Sequence, residues 1–202
     1  MGSKLLSRVI PCYKQAQYLE EAIEIVVSQT FSDWEIIVVN DGSPDDTSCI
    51  VQKLIELYPE RQIRMIEKEN EGLAKARNTA IEAAFRSYIL SLDAVDKLLP
   101  DMLLKTIRLL ERIPEFAIAY TDLVQFGNSS NITHASEYDF SRLLLQNQLN
   151  CCSLFRLEVW VAVGAYNSNL PGYKDWDFCI GCGELGSLIA GSYRSRSKRT
   201  LT

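Results

Sequence analysis

The sequence predicts an α/β domain in which a mostly parallel sheet is flanked by helices. Short apolar runs rich in β-branched residues, such as 34–39 and 88–92, are typical of strands buried on both faces. Between these runs, apolar residues recur at helical spacing, as in Leu19, Ile23 and Val26. A strand–helix–strand succession of this kind requires parallel strands joined by right-handed crossovers. We therefore expect ligands to bind beyond the carboxyl ends of the strands.

The N-terminal half supports this prediction element by element. Strands are predicted at 9–10, 34–39, 63–66, 88–92 and 116–121, and helices at 17–29, from 43 onward, at 72–84 and at 100–111. The first strand is expected to stop at Pro11, and the second ends at the turn Asn40-Asp41-Gly42. Ser43 is expected to cap the second helix, because serine is a favoured N-cap and Pro44 fits a first turn.

Beyond residue 121 the regular alternation is lost. A loop is predicted at 125–131, helices at 138–147, 158–163 and 175–184, and a short strand at 152–155. The final stretch carries several arginines and lysines without periodicity, which indicates a loose basic tail. The predicted organisation is a nucleotide-binding half at about 1–121, an acceptor half at about 122–186, and a basic C-terminal tail at 187–202.

Composition and charge argue against several classes of protein. The 202 residues carry a formal net charge of −5, which argues against nucleic-acid binding because phosphate recognition needs a clustered basic surface. No stretch approaches the roughly 18 to 20 apolar residues of a transmembrane helix, so we expect a cytoplasmic protein. Peripheral membrane contact through the basic tail stays open. Six cysteines without an export signal do not suggest disulfides, and the pair Cys179 and Cys182 is expected to hold ordinary thiols.

Acidic residues follow two of the predicted strands. Asp41 closes the second strand, and Asp93 closes the strand at 88–92, with Asp96 three residues later. Carboxylates at strand ends can hold a divalent cation against phosphate oxygens. The sequence contains neither a G-x-G-x-x-G nor a G-x-x-x-x-G-K-[ST] motif, which favours a metal over a glycine-rich loop as the means of holding phosphates.

Five motifs in register resemble those of the inverting glycosyltransferases of family two. They are Val-Ile-Pro-Cys-Tyr at 9–13, Val-Val-Asn-Asp-Gly-Ser at 38–43, Gly-Leu-Ala-Lys-Ala-Arg-Asn at 72–78, Leu-Asp-Ala-Val-Asp at 92–96 and Gly-Tyr-Lys-Asp-Trp-Asp-Phe at 172–178. The resemblance runs from about 7 to 186. It implies a GT-A-like fold with a Rossmann-like nucleotide-binding half. It also implies a hexosyltransferase-like enzyme that uses a nucleoside-diphosphate sugar, a UDP sugar in our interpretation.

The resemblance also implies roles for individual residues. The donor-binding residues it implies are Pro11, Tyr13, Asp41, Arg77, Asn78 and Asp93. Tyr13 is expected to stack on the nucleobase, and Asp41 to bond the base or ribose. Asp175 matches the general base that takes the proton from the acceptor hydroxyl. Asp93 and Asp96 are the expected ligands of a Mn²⁺ or Mg²⁺ ion. The implied partners are the donor and a saccharide, lipid or other hydroxyl acceptor.

The sequence departs from the family pattern at two motif positions. Val95 stands where the D-x-D element has its second acid, and Lys174 replaces the glutamate before the base. A valine cannot ligate a metal, and a lysine favours the ionised form of its neighbour, which weakens a base. The alternative is therefore a catalytically impaired module that binds nucleotide on the same fold. A second alternative is an α/β domain used for protein interaction.

Overall fold

The computed structural model describes residues 6–126, 131–149, 151–186 and 188–200, and at 188 and 190–200 it describes the backbone alone. The strands along this part of the chain are β1 (Leu6–Cys12), β2 (Trp34–Asp41), β3 (Gln62–Lys68), β4 (Tyr88–Ser91), β5 (Asp96–Leu98), β6 (Phe116–Phe126), β7 (Ile132–Thr133), β8 (Leu154–Arg156) and β9 (Leu188–Thr200). The helices are α1 (Ala16–Val27), α2 (Thr47–Leu57), α3 (Leu73–Glu82), α4 (Met102–Arg112), α5 (Phe140–Leu143), α6 (Leu157–Val163) and α7 (Lys174–Glu184). None of these helices combines the length and the apolar character needed to cross a membrane.

The strands form one mixed sheet in the order β3-β2-β1-β4-β8-β6-β9-β5, with β7 paired to β6. Strands β1, β2, β3, β4, β6 and β9 run in one direction, and β5, β7 and β8 run against them. The predicted α/β class with a mostly parallel sheet is therefore confirmed. Because β1 lies between β2 and β4, the strand order reverses there and opens a crevice at the carboxyl ends of these strands.

Apolar side chains cover both faces of the sheet. On one face, Leu19 of α1, Leu54 of α2 and Leu103 of α4 pack in a cluster that includes Leu154 of β8. The other cluster joins Val9 of β1 to side chains of α3, α6 and α7, among them Ile81, Trp160 and Phe178. Both clusters draw on residues before and after 121, so the two predicted halves share their core. The boundary at 121 stays a prediction.

Several element boundaries differ from those predicted. β1 continues through Pro11 to Cys12 and stays paired with β2, so the expected stop at Pro11 was wrong. α2 begins at Thr47 and not at Ser43, because the hydroxyl of Ser43 accepts the N–H of Lys14 from the neighbouring loop. The helix expected at 138–147 is confined to α5. Part of the predicted loop at 125–131 lies outside the described residues.

The description of 187–202 as a loose tail was wrong for the backbone of 188–200. These residues form β9, which runs parallel to β6 and antiparallel to β5. A strand formed by pairing with distant strands satisfies its backbone polar groups through partners that no local periodicity reveals. The basic, non-periodic sequence of this segment therefore did not predict that it forms a strand of the sheet.

Candidate donor and catalytic site

A cleft of about 270 Å³ opens at the carboxyl ends of β1, β2 and β4. Its lining comes from three strand ends and the start of α3, namely Pro11, Cys12, Tyr13, Gln15, Asp41, Gly72, Leu73, Ala76 and Asp93. The register explains the convergence, because β1 pairs with β2 on one side and with β4 on the other. The expectation that Tyr13, Asp41 and Asp93 share one cleft is confirmed by this lining.

Tyr13 gives the cleft an exposed aromatic ring. The side chain is 43% exposed, and the ammonium of Lys14 lies 5.1 Å from the ring centroid. Lys14 itself has a φ of 56°, a left-handed conformation that is uncommon for residues other than glycine, asparagine and aspartate. The backbone N–H of Lys14 donates to the hydroxyl of Ser43 at 2.8 Å, which fixes the turn. An exposed ring on a fixed turn is suited to stacking on a planar ligand.

Asp41 is buried at the base of the cleft and organises the loop before α3. One carboxylate oxygen accepts from the ammonium of Lys68 at 2.9 Å and from the backbone N–H of Glu71 at 3.1 Å. The other accepts from the N–H of Gly72 at 2.8 Å. Gly72 has a φ of +89°, which a glycine adopts without strain. Asp41 therefore holds the rim of the cleft in place.

Lys68 is a site residue that the sequence prediction missed. Burial opposes its charge, but hydrogen bonds with Glu71 and Asp41 raise the pKa of Lys68 above its usual value. Hydrogen bonds from Lys68 and Lys75 in turn lower the pKa of Glu71 to about 2. Lys68 ends β3 directly opposite Asp41 in the parallel register. The strand-end rule that selected Asp41 would also have selected Lys68, had it been applied to β3.

Arg77 joins the cleft to the segment around Asp175. Its guanidinium is fully buried, and it donates to Asp93 Oδ1 at 2.8 Å and to Asp175 Oδ1 at 2.6 Å. The guanidinium carbon also lies 5.5 Å from the ring centroid of Tyr166. Burial opposes the charge, but the two carboxylates raise the pKa of Arg77 above its ordinary value. Arg77 therefore remains a cation that binds both acids at once. No sequence pattern singled out Tyr166.

Asp175 lies in the first turn of α7 and keeps one oxygen available. Its side chain is 32% exposed, and Oδ1 is held by Arg77. Within the described chain, Oδ2 has no hydrogen-bond partner. A carboxylate held at one oxygen and open at the other has the geometry that a general base requires.

The D-x-D element brings a single carboxylate to the cleft. Asp93 is partly exposed and lines it, whereas Asp96 is buried and its Oδ2 accepts from the thiols of Cys151 and Cys152 at 3.1 and 3.4 Å. These three side chains form a group whose ligand atoms lie within 4.8 Å of one another, and Asp93 is not among them. Asp93 and Asp96 therefore have different partners in the structure, and their joint binding of one ion stays a prediction.

Asn78 faces away from the cleft, although it follows Arg77 directly. Its amide donates to the backbone carbonyl of Tyr166 at 2.9 Å. Its oxygen accepts from the Tyr166 N–H and from the indole of Trp160. Neighbouring helix positions differ by about 100° in direction, so the two side chains diverge. Asn78 fixes the loop that carries the Tyr166 ring beneath Arg77, and a direct contact with the donor stays a prediction for it.

Comparison with known proteins identifies relatives of this chain. The family model described as Glycosyl transferase family 2 matches residues 7–165. Chondroitin synthase of Escherichia coli is 28% identical over 187 residues, which are 90% of this chain and 27% of that protein. The chain thus spans about a quarter of the length of that curated relative.

Solved structures share the fold at low sequence identity. TarS 1-349 of S. aureus in complex with UDP-GlcNAc has a TM-score of 0.80 at 17% identity, covering 98% of this chain and 58% of that one. The mannosyltransferase PcManGT of Pyrobaculum calidifontis, in complex with GDP-Man and Mn²⁺, has a TM-score of 0.78 at 19% identity. That match covers 96% of this chain and 56% of the mannosyltransferase. The expected GT-A architecture is confirmed by these structures.

Proposed function

Because the chain belongs to glycosyltransferase family 2, we propose that it transfers a sugar from a nucleoside-diphosphate sugar to an acceptor hydroxyl, with inversion. The observation that carries the proposal is the double ion pair of Arg77, which links Asp93 of the donor cleft to Asp175. The two ion pairs hold Asp93 and Asp175 in a fixed position relative to each other. A displacement reaction at the anomeric carbon requires the donor and the base to be held in such a fixed arrangement.

The donor side of the proposal uses the exposed ring and the buried acid of the cleft. Tyr13 stacks on the nucleobase, and the loop that Asp41 holds closes around the base and ribose. We take the nucleotide to be UDP, in line with the UDP-GlcNAc complex of TarS. GDP is the competing choice, because the mannosyltransferase carries GDP-Man.

Asp175 serves as the general base. Its open oxygen takes the proton from the acceptor hydroxyl while that hydroxyl oxygen attacks the anomeric carbon, and the bond to the diphosphate breaks on the opposite face. The proton passes from the acceptor to Asp175, and the bonding electrons leave with the diphosphate. Arg77 holds Asp175 in place through the other oxygen, so the base needs no rearrangement during the reaction.

A divalent ion, Mn²⁺ or Mg²⁺, would have fewer carboxylate ligands at this site than the D-x-D motif of the family provides. Asp93 Oδ1 is occupied by Arg77 and Asp96 faces the core, which leaves one oxygen of Asp93 for the ion. Mg²⁺ is commonly held by one or two carboxylates together with substrate phosphates, so one ligand suffices for weak binding. When bound, the ion would neutralise charge on the leaving diphosphate. The relatives give no support to an impaired module.

The acceptor and the location complete the proposal. We propose a saccharide, lipid or other hydroxyl compound as acceptor, and a cytoplasmic protein with no nucleic-acid partner and with peripheral membrane contact left open. These statements rest on the composition and on the family resemblance. The chondroitin synthase relative adds a saccharide context to them.

A nucleotide screen tests the proposed function. The melting temperature is measured with UDP, GDP, ADP and CDP, each with and without Mn²⁺. At a concentration of 100 times Kd, UDP should stabilise the fold by about 2.7 kcal/mol, which corresponds to a rise of roughly 5 to 10 °C. Tyr13→Ala should abolish most of the rise, while Phe85→Ala, which removes an exposed ring outside the cleft, should keep it. If no nucleoside diphosphate protects the protein at millimolar concentration, the proposal is wrong.

A further inference from the structure

Tyr173 combines three features that the fold alone does not explain. It is 81% exposed, although it immediately precedes α7 and stands two residues before Asp175. Its backbone is left-handed, with φ 57° and ψ 26°, a conformation that is strained for a bulky residue. As the N-cap of α7 it offers no side-chain hydrogen bond to the helix. Glycine or asparagine would fill this position with less strain and cap the helix better.

The ring of Tyr173 has one aromatic neighbour. It meets the ring of Trp176 edge-on, with 5.8 Å between centroids and 76° between planes. The indole N–H of Trp176 donates to the backbone carbonyl of Leu143 at 2.6 Å, which anchors Trp176 to α5. Tyr173 is therefore an exposed ring that contacts an anchored tryptophan, at the start of the helix that carries Asp175.

We infer that Tyr173 is the binding platform for a saccharide acceptor, with one pyranose ring of the acceptor lying against its exposed face. The inference rests on the proposed function and names the acceptor class for the same site. A pyranose presents an apolar C–H face and a rim of hydroxyls, and a tyrosine presents an apolar ring with a polar tip. Within the described chain the Tyr173 hydroxyl has no protein partner, so it is available to a sugar hydroxyl.

Binding of a saccharide would explain why a tyrosine with a strained backbone occupies the position before α7. Local strain at a residue without a structural role is a common feature of ligand sites. A sugar on this ring would lie at the N-terminal end of α7, whose first turn carries Asp175. The two partners of the reaction would then approach from different sides, with the donor against Tyr13 in the cleft and the acceptor against Tyr173.

Substitution by glycine separates a ligand role from a structural one. Tyr173→Gly relieves the backbone strain and should leave the melting temperature unchanged or raise it by about 2 to 4 °C. The same variant should weaken saccharide binding roughly tenfold, as loss of an anchoring aromatic commonly does. Tyr173→Phe should bind within about threefold of the parent. Phe85→Ala is the matched control, because Phe85 is 77% exposed and lies outside the donor cleft.

The binding probes are chondroitin tetrasaccharide, hyaluronan tetrasaccharide, methyl β-N-acetylglucosaminide and octyl β-glucoside, titrated by calorimetry in saturating UDP. Tighter binding by the parent than by Tyr173→Gly, with Phe85→Ala unchanged, supports the platform. Equal affinities for parent and Tyr173→Gly overturn it, as does Tyr173-dependent binding of the octyl compound alone, which would indicate a lipid acceptor. If UDP protects the protein but no saccharide binds, the inference fails and the proposed function stands. If UDP itself does not bind, the proposed function fails.

Discussion

At the scale of single residues, Arg77 is the centre of the site. It is buried, charged and shared between two carboxylates whose own sequence positions are 82 residues apart, Asp93 and Asp175. Removing one partner of such a group leaves a buried charge without compensation, which is costly. Changes at either acid should therefore be made with residues that can still accept a hydrogen bond from Arg77.

Asp175→Asn tests the general base. The amide oxygen can still accept from Arg77, so donor binding should stay within about twofold of the parent. The rate of UDP release from the preferred donor sugar should fall by a factor of roughly 100 to 10,000, as loss of a general base typically costs. Asp177→Asn is the control, since Asp177 shares the first turn of α7 but makes no contact with Arg77. An Asp175→Asn enzyme with the parental rate and a lower melting temperature would make Asp175 a structural residue only.

Val95→Asp tests whether the metal site lacks a carboxylate ligand. The new carboxylate restores a hard oxygen ligand near Asp93, and Mn²⁺-dependent UDP binding should tighten by about tenfold. Val95→Thr has a similar shape without the charge and should leave the Mn²⁺ dependence unchanged. Titration calorimetry with and without Mn²⁺ gives both values. Equal Mn²⁺ dependence in Val95→Asp and in the parent would count against our account of the D-x-D element.

At the scale of elements, the loop between β2 and α2 is organised by Asp45. Its carboxylate accepts from the hydroxyls of Ser43 and Thr47 and from the backbone N–H of Ala16 at the start of α1. Burial opposes the charge, but these hydrogen bonds together outweigh it and lower the pKa of Asp45 to about 2. One acid thus ties together the loops that follow β1 and β2 beside the donor cleft.

This low pKa has a consequence for stability in acid. A carboxyl whose folded-state pKa is depressed stabilises the fold above its unfolded pKa, near 3.8, and that stabilisation is lost as the pH falls through about 2. Asp45→Asn should therefore melt about 2 °C below the parent at pH 7, and the difference should vanish near pH 2. Melting curves from pH 7 to 2 measure this. Asp46→Asn, whose side chain makes no capping bond, should show no such trend, and a constant difference for Asp45→Asn would refute the assignment.

At the scale of the whole molecule, the two predicted halves are expected to unfold together. Each core cluster contains side chains from both sides of residue 121, and β8 of the second half pairs with β4 and with residues 118–119 of β6, which belong to the first half. Scanning calorimetry should therefore show one transition, with calorimetric and van't Hoff enthalpies that agree. Two resolved transitions would show that the halves are independent domains.

Much of the donor side was predictable from the sequence. Asp41 and Asp93 follow buried apolar runs, and a strand that ends in a turn is a local signal. The parallel arrangement followed from the alternation of strands and helices, and it carried Tyr13 to the same edge. The partners of the Asp96 and Asn78 side chains could not be predicted in this way, because the direction of a side chain within a turn or helix depends on what packs around it.

The sequence by itself thus determined the fold class, the family and the strand ends that meet at the donor cleft, since each depends on short-range patterns of residues. Only the tertiary structure decided that Arg77 joins Asp93 to Asp175, that Asp96 turns toward two thiols, and that 188–200 forms a strand. Those outcomes depend on contacts between segments far apart in the chain. A contact across 98 residues, such as that of Arg77 with Asp175, is fixed by the packing of the whole sheet and leaves no local pattern in the sequence.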